Sequence, residues 1–125
     1  MKNDSKPVYL KLRDTIAAAI LDGEFVEGQM LPSVRAFAAQ QGANPLTVAK
    51  AYQLFQDTGL VEVKRGVGLF VALGAVAKLR STEHDHFIKN VWPVVKAQML
   101  RAGHDFDIVR KLVHAEPGNI PDFQA

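Results

Sequence analysis

The sequence predicts a mainly α fold with a small β-hairpin: a winged helix-turn-helix domain followed by a two-helix dimerisation appendage. Three observations lead there. Two short amphipathic stretches, Val34–Gln41 and Asn44–Thr58, are separated only by a brief glycine-containing turn, the pattern of a helix-turn-helix. A roughly alternating, β-branched run, Leu60–Lys64, and a second short run, Leu69–Val71, follow at once around Gly66-Val67-Gly68 and read as a hairpin. After Gly74 the apolar spacing returns to the helical period.

Each element has its own local signals. Residues 1–6 are polar and expected to fray. Pro7 suits a helix start, because its missing N–H would be unpaired there anyway. Tyr9, Leu12, Ile16, Ala19 and Ile20 then recur on one helical face, and Gly23 ends the helix. Gly28 marks a turn. In Leu31-Pro32-Ser33, Ser33 can cap the helix that buries Val34, Phe37 and Ala38 before Gly42 stops it. Asn44 is the next cap, with Pro45 at the first helical position. That helix carries Val48, Ala51, Tyr52, Leu54 and Phe55, and Gly59 ends it. Leu60–Lys64 and Leu69–Val71 are the hairpin strands, or wing. A helical stretch near Ala75–Arg80 leads to Ser81 or Thr82 as a new cap. A longer helix up to Ala102 should kink at Pro93, which lacks a backbone donor and crowds the preceding turn. Gly103 stops it, and Asp105 caps a last helix with Phe106, Val109, Leu112 and Val113. The domain reading is therefore winged helix over 1–73, helical dimerisation region over 74–116 and tail over 117–125.

Composition narrows the function. The chain has 125 residues, 48% of them hydrophobic, which fits one globular domain with an appendage. No apolar run reaches the roughly 18 residues of a membrane helix, and MKNDSKP lacks the apolar stretch of a signal peptide. With no cysteine there is neither a disulfide framework nor a thiolate metal site. A cytoplasmic protein with no membrane partner is expected. His84, His86, His104 and His114 do not form a recognised ligand set, and residues two apart on a helix point in different directions. Gly66-x-Gly68 is a hairpin turn, not a phosphate loop feeding a helix. No nucleophile–base set appears. No enzyme activity, cofactor or metal is expected.

The net charge of +2 is uninformative, but its distribution is not. Gly28–Gln56 contains no acidic residue, while Arg35 and Lys50 are present and Lys64 and Arg65 follow. A surface without carboxylates avoids repelling a polyanion, so a few cations suffice to neutralise phosphates. The second helix of the pair would lie in the DNA major groove with its first turn toward base edges. That turn offers Asn44, Leu46 and Thr47, with Lys50 one turn on. Asn can pair with adenine, Thr can hydrogen-bond or touch a thymine methyl, and Lys50 would reach phosphate or guanine. Arg35 would meet the backbone or a guanine, and the small wing tip at Gly66 can approach the minor groove.

With these features together, the sequence resembles the DNA-binding domain of GntR-family regulators over residues 7–71. The resemblance rests on Leu31-Pro32-Ser33-x-Arg35, Asn44-Pro45-x-Thr47-Val48, Ala51-Tyr52, Gly59-Leu60 and Arg65-Gly66-x-Gly68-x-Phe70-Val71. It implies DNA contacts from Ser33, Arg35, Thr47, Lys50 and Gly66, with Asn44 and Leu46 nearby. Asn44-Pro45 stands where many members carry Ser-Arg, so a common arginine contact is absent. Asn-Pro is typical of the short YtrA-like branch, where Asn usually occupies the place of Leu46. Val67 and Leu69 replace the Lys and Thr of many wings.

About 50 residues follow the wing, too few for the large effector domains of other branches. Two helices with an apolar stripe and no core of their own should bury that stripe against a partner, as the YtrA-like branch implies. Phe87, Val91, Trp92, Val95, Met99 and Phe106 are the expected dimer interface; the alternative is that they pack only on their own winged helix. The functional expectation is a homodimeric repressor on near-palindromic double-stranded operator DNA. The sequence assigns no small-molecule effector. The competing expectation is a winged-helix protein-interaction module without DNA binding.

Overall fold

The computed structural model describes residues 6–116 and Gly118. The polar start at 1–5 and, Gly118 aside, the tail expected at 117–125 lie outside the described residues. The described chain forms two compact units that divide between Glu83 and His84.

The first unit is a three-helix core with a hairpin. Helix α1 spans Val8–Leu21, α2 Val34–Gln41 and α3 Pro45–Asp57; strands β1, Val61–Lys64, and β2, Gly68–Val71, pair antiparallel with Val61 opposite Val71 and Lys64 opposite Gly68. Helix α4 begins at Ala75. The helical spacing converges on one core. Leu12, Ile16 and Ile20 of α1 meet Phe37 of α2 and Val48, Ala51, Tyr52 and Phe55 of α3. Leu79 of α4 closes it. Tyr9, expected on the buried face, is only half-buried.

The caps form as the residue types demand. Ser33 Oγ accepts from the Ala36 N–H at 3.1 Å. Gly42 ends α2 at φ 63°, a left-handed conformation costly for any residue with a Cβ. Asn44 Oδ1 then accepts from the Leu46 N–H at 2.8 Å. Thus Gly42-Ala43-Asn44 is the whole turn between α2 and α3.

Two features of this unit leave no local signal in the sequence. Residues 28–31, of which only Gly28 is expected as a turn, run beside β2: the Gly28 and Leu31 N–H groups donate to the Val71 and Leu69 carbonyls, both at 2.8 Å, and Met30 bridges Phe70. Glu27 then clamps the start of α4, accepting from the Gly74 and Val76 N–H groups at 2.9 and 2.8 Å. These two backbone bonds hold its carboxyl below the usual range.

The expected cap at Ser81 or Thr82 is absent. Helix α4 runs unbroken over Ala75–His86, and Thr82 Oγ1 donates back to the Lys78 carbonyl at 3.1 Å. With its hydroxyl satisfied inside the helix, Thr82 need not end it.

In the second unit a π-helical turn, Phe87–Val91, precedes α5, Trp92–Arg101. The widened turn falls just before Pro93, where the missing N–H and the bulky ring disfavour ordinary helical bonds. Helix α6, Phe106–His114, is capped by Asp105 Oδ1, which accepts from the Ile108 N–H at 3.0 Å. None of the described residues from His84 onward is buried. Among the described residues no helix is long and apolar enough to cross a membrane.

Candidate nucleic-acid interface

The first turn of α3 projects Asn44, Pro45 and Leu46 into solvent. Leu46 is 80% exposed, an unusual position for a leucine with no packing task. Thr47 beside it is half-buried, while Val48 is fully buried and anchors the turn. Asn44 Oδ1 is occupied by its cap bond, which leaves the side-chain amide N–H groups as the outward donors. Ser33 likewise accepts through its oxygen and keeps its hydroxyl proton to donate.

The four expected cations fall into two kinds. Arg35 and Arg65 are exposed and have no ion-pair partner among the described residues. The two lysines rest on aromatic rings: Lys50 Nζ lies 4.0 Å from the Tyr9 ring centroid, and Lys64 Nζ lies 4.2 Å from that of Phe70. Helical spacing shows Tyr9 only as part of an apolar face. Its proximity to Lys50 depends on α1 packing against α3, which no local sequence signal encodes.

The relation of Ser33 and Arg35 to α3 is fixed by a part-buried bond. Tyr52 of α3 donates its hydroxyl to the Pro32 carbonyl at 2.8 Å, and its ring lies 5.9 Å from Phe37 of α2. Desolvation of the phenol raises its pKa to about 12. At the wing, Gly66 holds φ 77° in the tip, while Gly68 lies against Met30, whose Sδ would sit 2.8 Å from an added Cβ. Sequence reasoning misses that approach, because Met30 belongs to no element that spacing defines.

A cleft of about 340 Å³ opens between α1, α3 and α4, over Leu10, Leu54, Phe55 and Leu79. Its cations serve the fold: Arg13 pairs with Glu83 at 2.7 Å, and Lys78 donates to the Thr58 carbonyl. Among the described residues no group of three or more His, Cys, Asp or Glu side chains is placed to hold a metal.

The family model for bacterial regulatory proteins of the gntR family matches residues 8–71. The chain is 41% identical over 68 residues to the transcriptional regulator YhcF of Bacillus subtilis, covering 54% of this chain and 56% of that one. It is 36% identical over 75 residues to the transcriptional repressor YtrA of the same organism, covering 60% and 58%. The chain thus spans a little over half the length of these relatives. Among solved structures, a GntR family transcriptional regulator from Listeria monocytogenes shares the fold with a TM-score of 0.73 at 24% identity, over 92% of this chain and 100% of that one. The DNA-binding domain of AraR in complex with operator ORX1 aligns with a TM-score of 0.52 at 25% identity, over 58% of this chain and 93% of that one. With the α2–turn–α3 unit and its wing in place, the chain belongs to the gntR family of bacterial regulatory proteins, and residues 8–71 are its winged helix-turn-helix domain.

Proposed function

We propose that this chain binds operator DNA as a homodimer and represses transcription. The observation that carries the reading is the exposed, acid-free first turn of α3, flanked by the unpaired Arg35 and by the wing cations. Helix α3 enters the major groove. Leu46 and Thr47 meet base edges, with an exposed leucine suited to a thymine methyl. Asn44 donates through its amide. Ser33 and Lys50 hold phosphates, Arg35 reads guanine or phosphate, and Lys64, Arg65 and Gly66 follow the adjacent backbone or minor groove. The AraR domain described as bound to its operator supports this use of the fold, and YtrA, named a repressor, supports the sign of regulation.

The second unit supports the dimer. Phe87 and Val91 are exposed, Phe106 is 77% exposed, and Trp92, Val95 and Met99 are only half-buried. Apolar surface of this extent on a unit in which no described residue is buried calls for a partner. Two copies present two recognition helices about one DNA turn apart, which matches a near-palindromic site.

The test is affinity for operator and random duplexes at several salt concentrations. Arg35→Ala/Lys50→Ala should bind far more weakly. Removing the Lys50 ammonium should lower the salt slope by about 1 for each phosphate it neutralises, and removing Arg35 should cost about 1–3 kcal/mol per half-site if it reads guanine. Wild-type-like binding by the folded double variant would refute the docking. Salt-independent or absent binding by the wild type would favour a protein-interaction module instead.

A further inference from the structure

Lys50 stands on the outward side of α3 and has no carboxylate partner among the described residues. Its one aromatic contact among the described residues is Tyr9, in the first turn of α1, with Nζ 4.0 Å from the ring centroid. That ring is half-buried. The helix beneath it is anchored through Leu12 and Ile16 to Val48, Ala51 and Phe55, so the position of the ring is set by the core.

The consequence is one of pre-ordering. A lysine side chain is long and flexible, and immobilising it on a ligand costs affinity. The negative face of an aromatic ring attracts an ammonium at this distance. The ring occupies one side of the ammonium and leaves N–H donors on the other side free for a phosphate oxygen. Arg35, by contrast, has no such support among the described residues.

We propose that Tyr9 is a positioning residue of the DNA interface: its ring pre-orders the Lys50 ammonium toward a phosphate. The proposal rests on reading α3 as the recognition helix. It predicts that the two residues act as a unit. Removing the ring matters only while Lys50 is present, and the phenolic hydroxyl is dispensable.

Two measurements test it on the whole chain. In the free wild-type protein, the Lys50 ε-methylene protons should show upfield ring-current shifts by NMR. The shifts should persist in Tyr9→Phe and vanish in Tyr9→Leu. In operator binding at several salt concentrations, Tyr9→Phe should match the wild type. Tyr9→Leu should weaken binding roughly two- to fivefold per half-site, and Tyr9→Leu/Lys50→Ala should bind no more weakly than Lys50→Ala alone. Additive effects in that cycle, or unshifted Lys50 protons in the wild type, overturn the proposal. The wild-type NMR result decides even if Tyr9→Leu fails to fold. Absent or salt-independent binding by the wild type would instead overturn the DNA reading, leaving the NMR result to judge the Tyr9–Lys50 pair by itself.

Discussion

Replacing Tyr52 with Phe removes one oxygen and leaves the ring in place. Tyr52 is 1% exposed, and its hydroxyl donates to the Pro32 carbonyl at 2.8 Å. Deleting this part-buried bond and leaving its acceptor without that donor should cost about 1–2 kcal/mol near neutral pH. For a domain of this size that lowers Tm by about 5–10 °C. The same hydroxyl adds a pH signature. Burial pushes its pKa up to about 12, while the unfolded chain releases the proton near the ordinary value of about 10. Between those values the unfolded state binds fewer protons than the folded state, so stability falls as pH rises. The slope approaches about 1.4 kcal/mol per pH unit. The contribution is therefore complete below pH ~10 and lost by pH ~12. Urea melts of wild type and Tyr52→Phe from pH 8 to 11.5 isolate it, because every other titrating group is common to both. The wild type should lead at pH 8, and the lead should shrink steadily above pH 10. Equal stability at pH 8, or a lead unchanged at pH 11.5, would refute the reasoning.

Glu27→Gln should destabilise the protein at pH 7, because a carboxylate holds the Gly74 and Val76 N–H groups. Its pKa is lowered in the fold, so this contribution is present above the ordinary carboxylate range and lost as pH falls through the lowered value. Thermal melts should show the gap between variant and wild type closing in acid; a gap independent of pH would contradict the clamp. Val95→Asp should give monomers at micromolar concentration by sedimentation and, by abolishing bivalent engagement, weaken operator binding by about a hundredfold or more. A Val95→Asp dimer with unchanged affinity would move the interface elsewhere.

The element order was legible because its signals are local. Ser33, Asn44 and Asp105 cap the helices expected of them, and Gly42 ends α2 in the left-handed conformation that its position required. Helical spacing named most of the core, since Leu12, Ile16, Val48, Tyr52 and Phe55 can share an interior only if their helices pack face to face. The failures came where a local signal was ambiguous or absent. Thr82 looks like a cap, yet the same hydroxyl can satisfy itself on the preceding turn, and sequence alone does not choose between the two. The strand-like course of Gln29 and Met30 leaves no trace, because a short edge segment needs its partner strand in order to exist.

The sequence by itself determined the winged helix-turn-helix and the acid-free stretch Gly28–Gln56 across its helix pair. Periodicity, caps and the missing carboxylates are properties of neighbouring residues, and they act before any long-range contact forms. Tertiary structure alone decided how those residues are held. It set the ring of Tyr9 beneath Lys50, tied Tyr52 to the carbonyl ahead of Ser33, and laid Met30 against Gly68. Each of these joins residues far apart in the chain, and their distances are fixed only when the helices close on a common core.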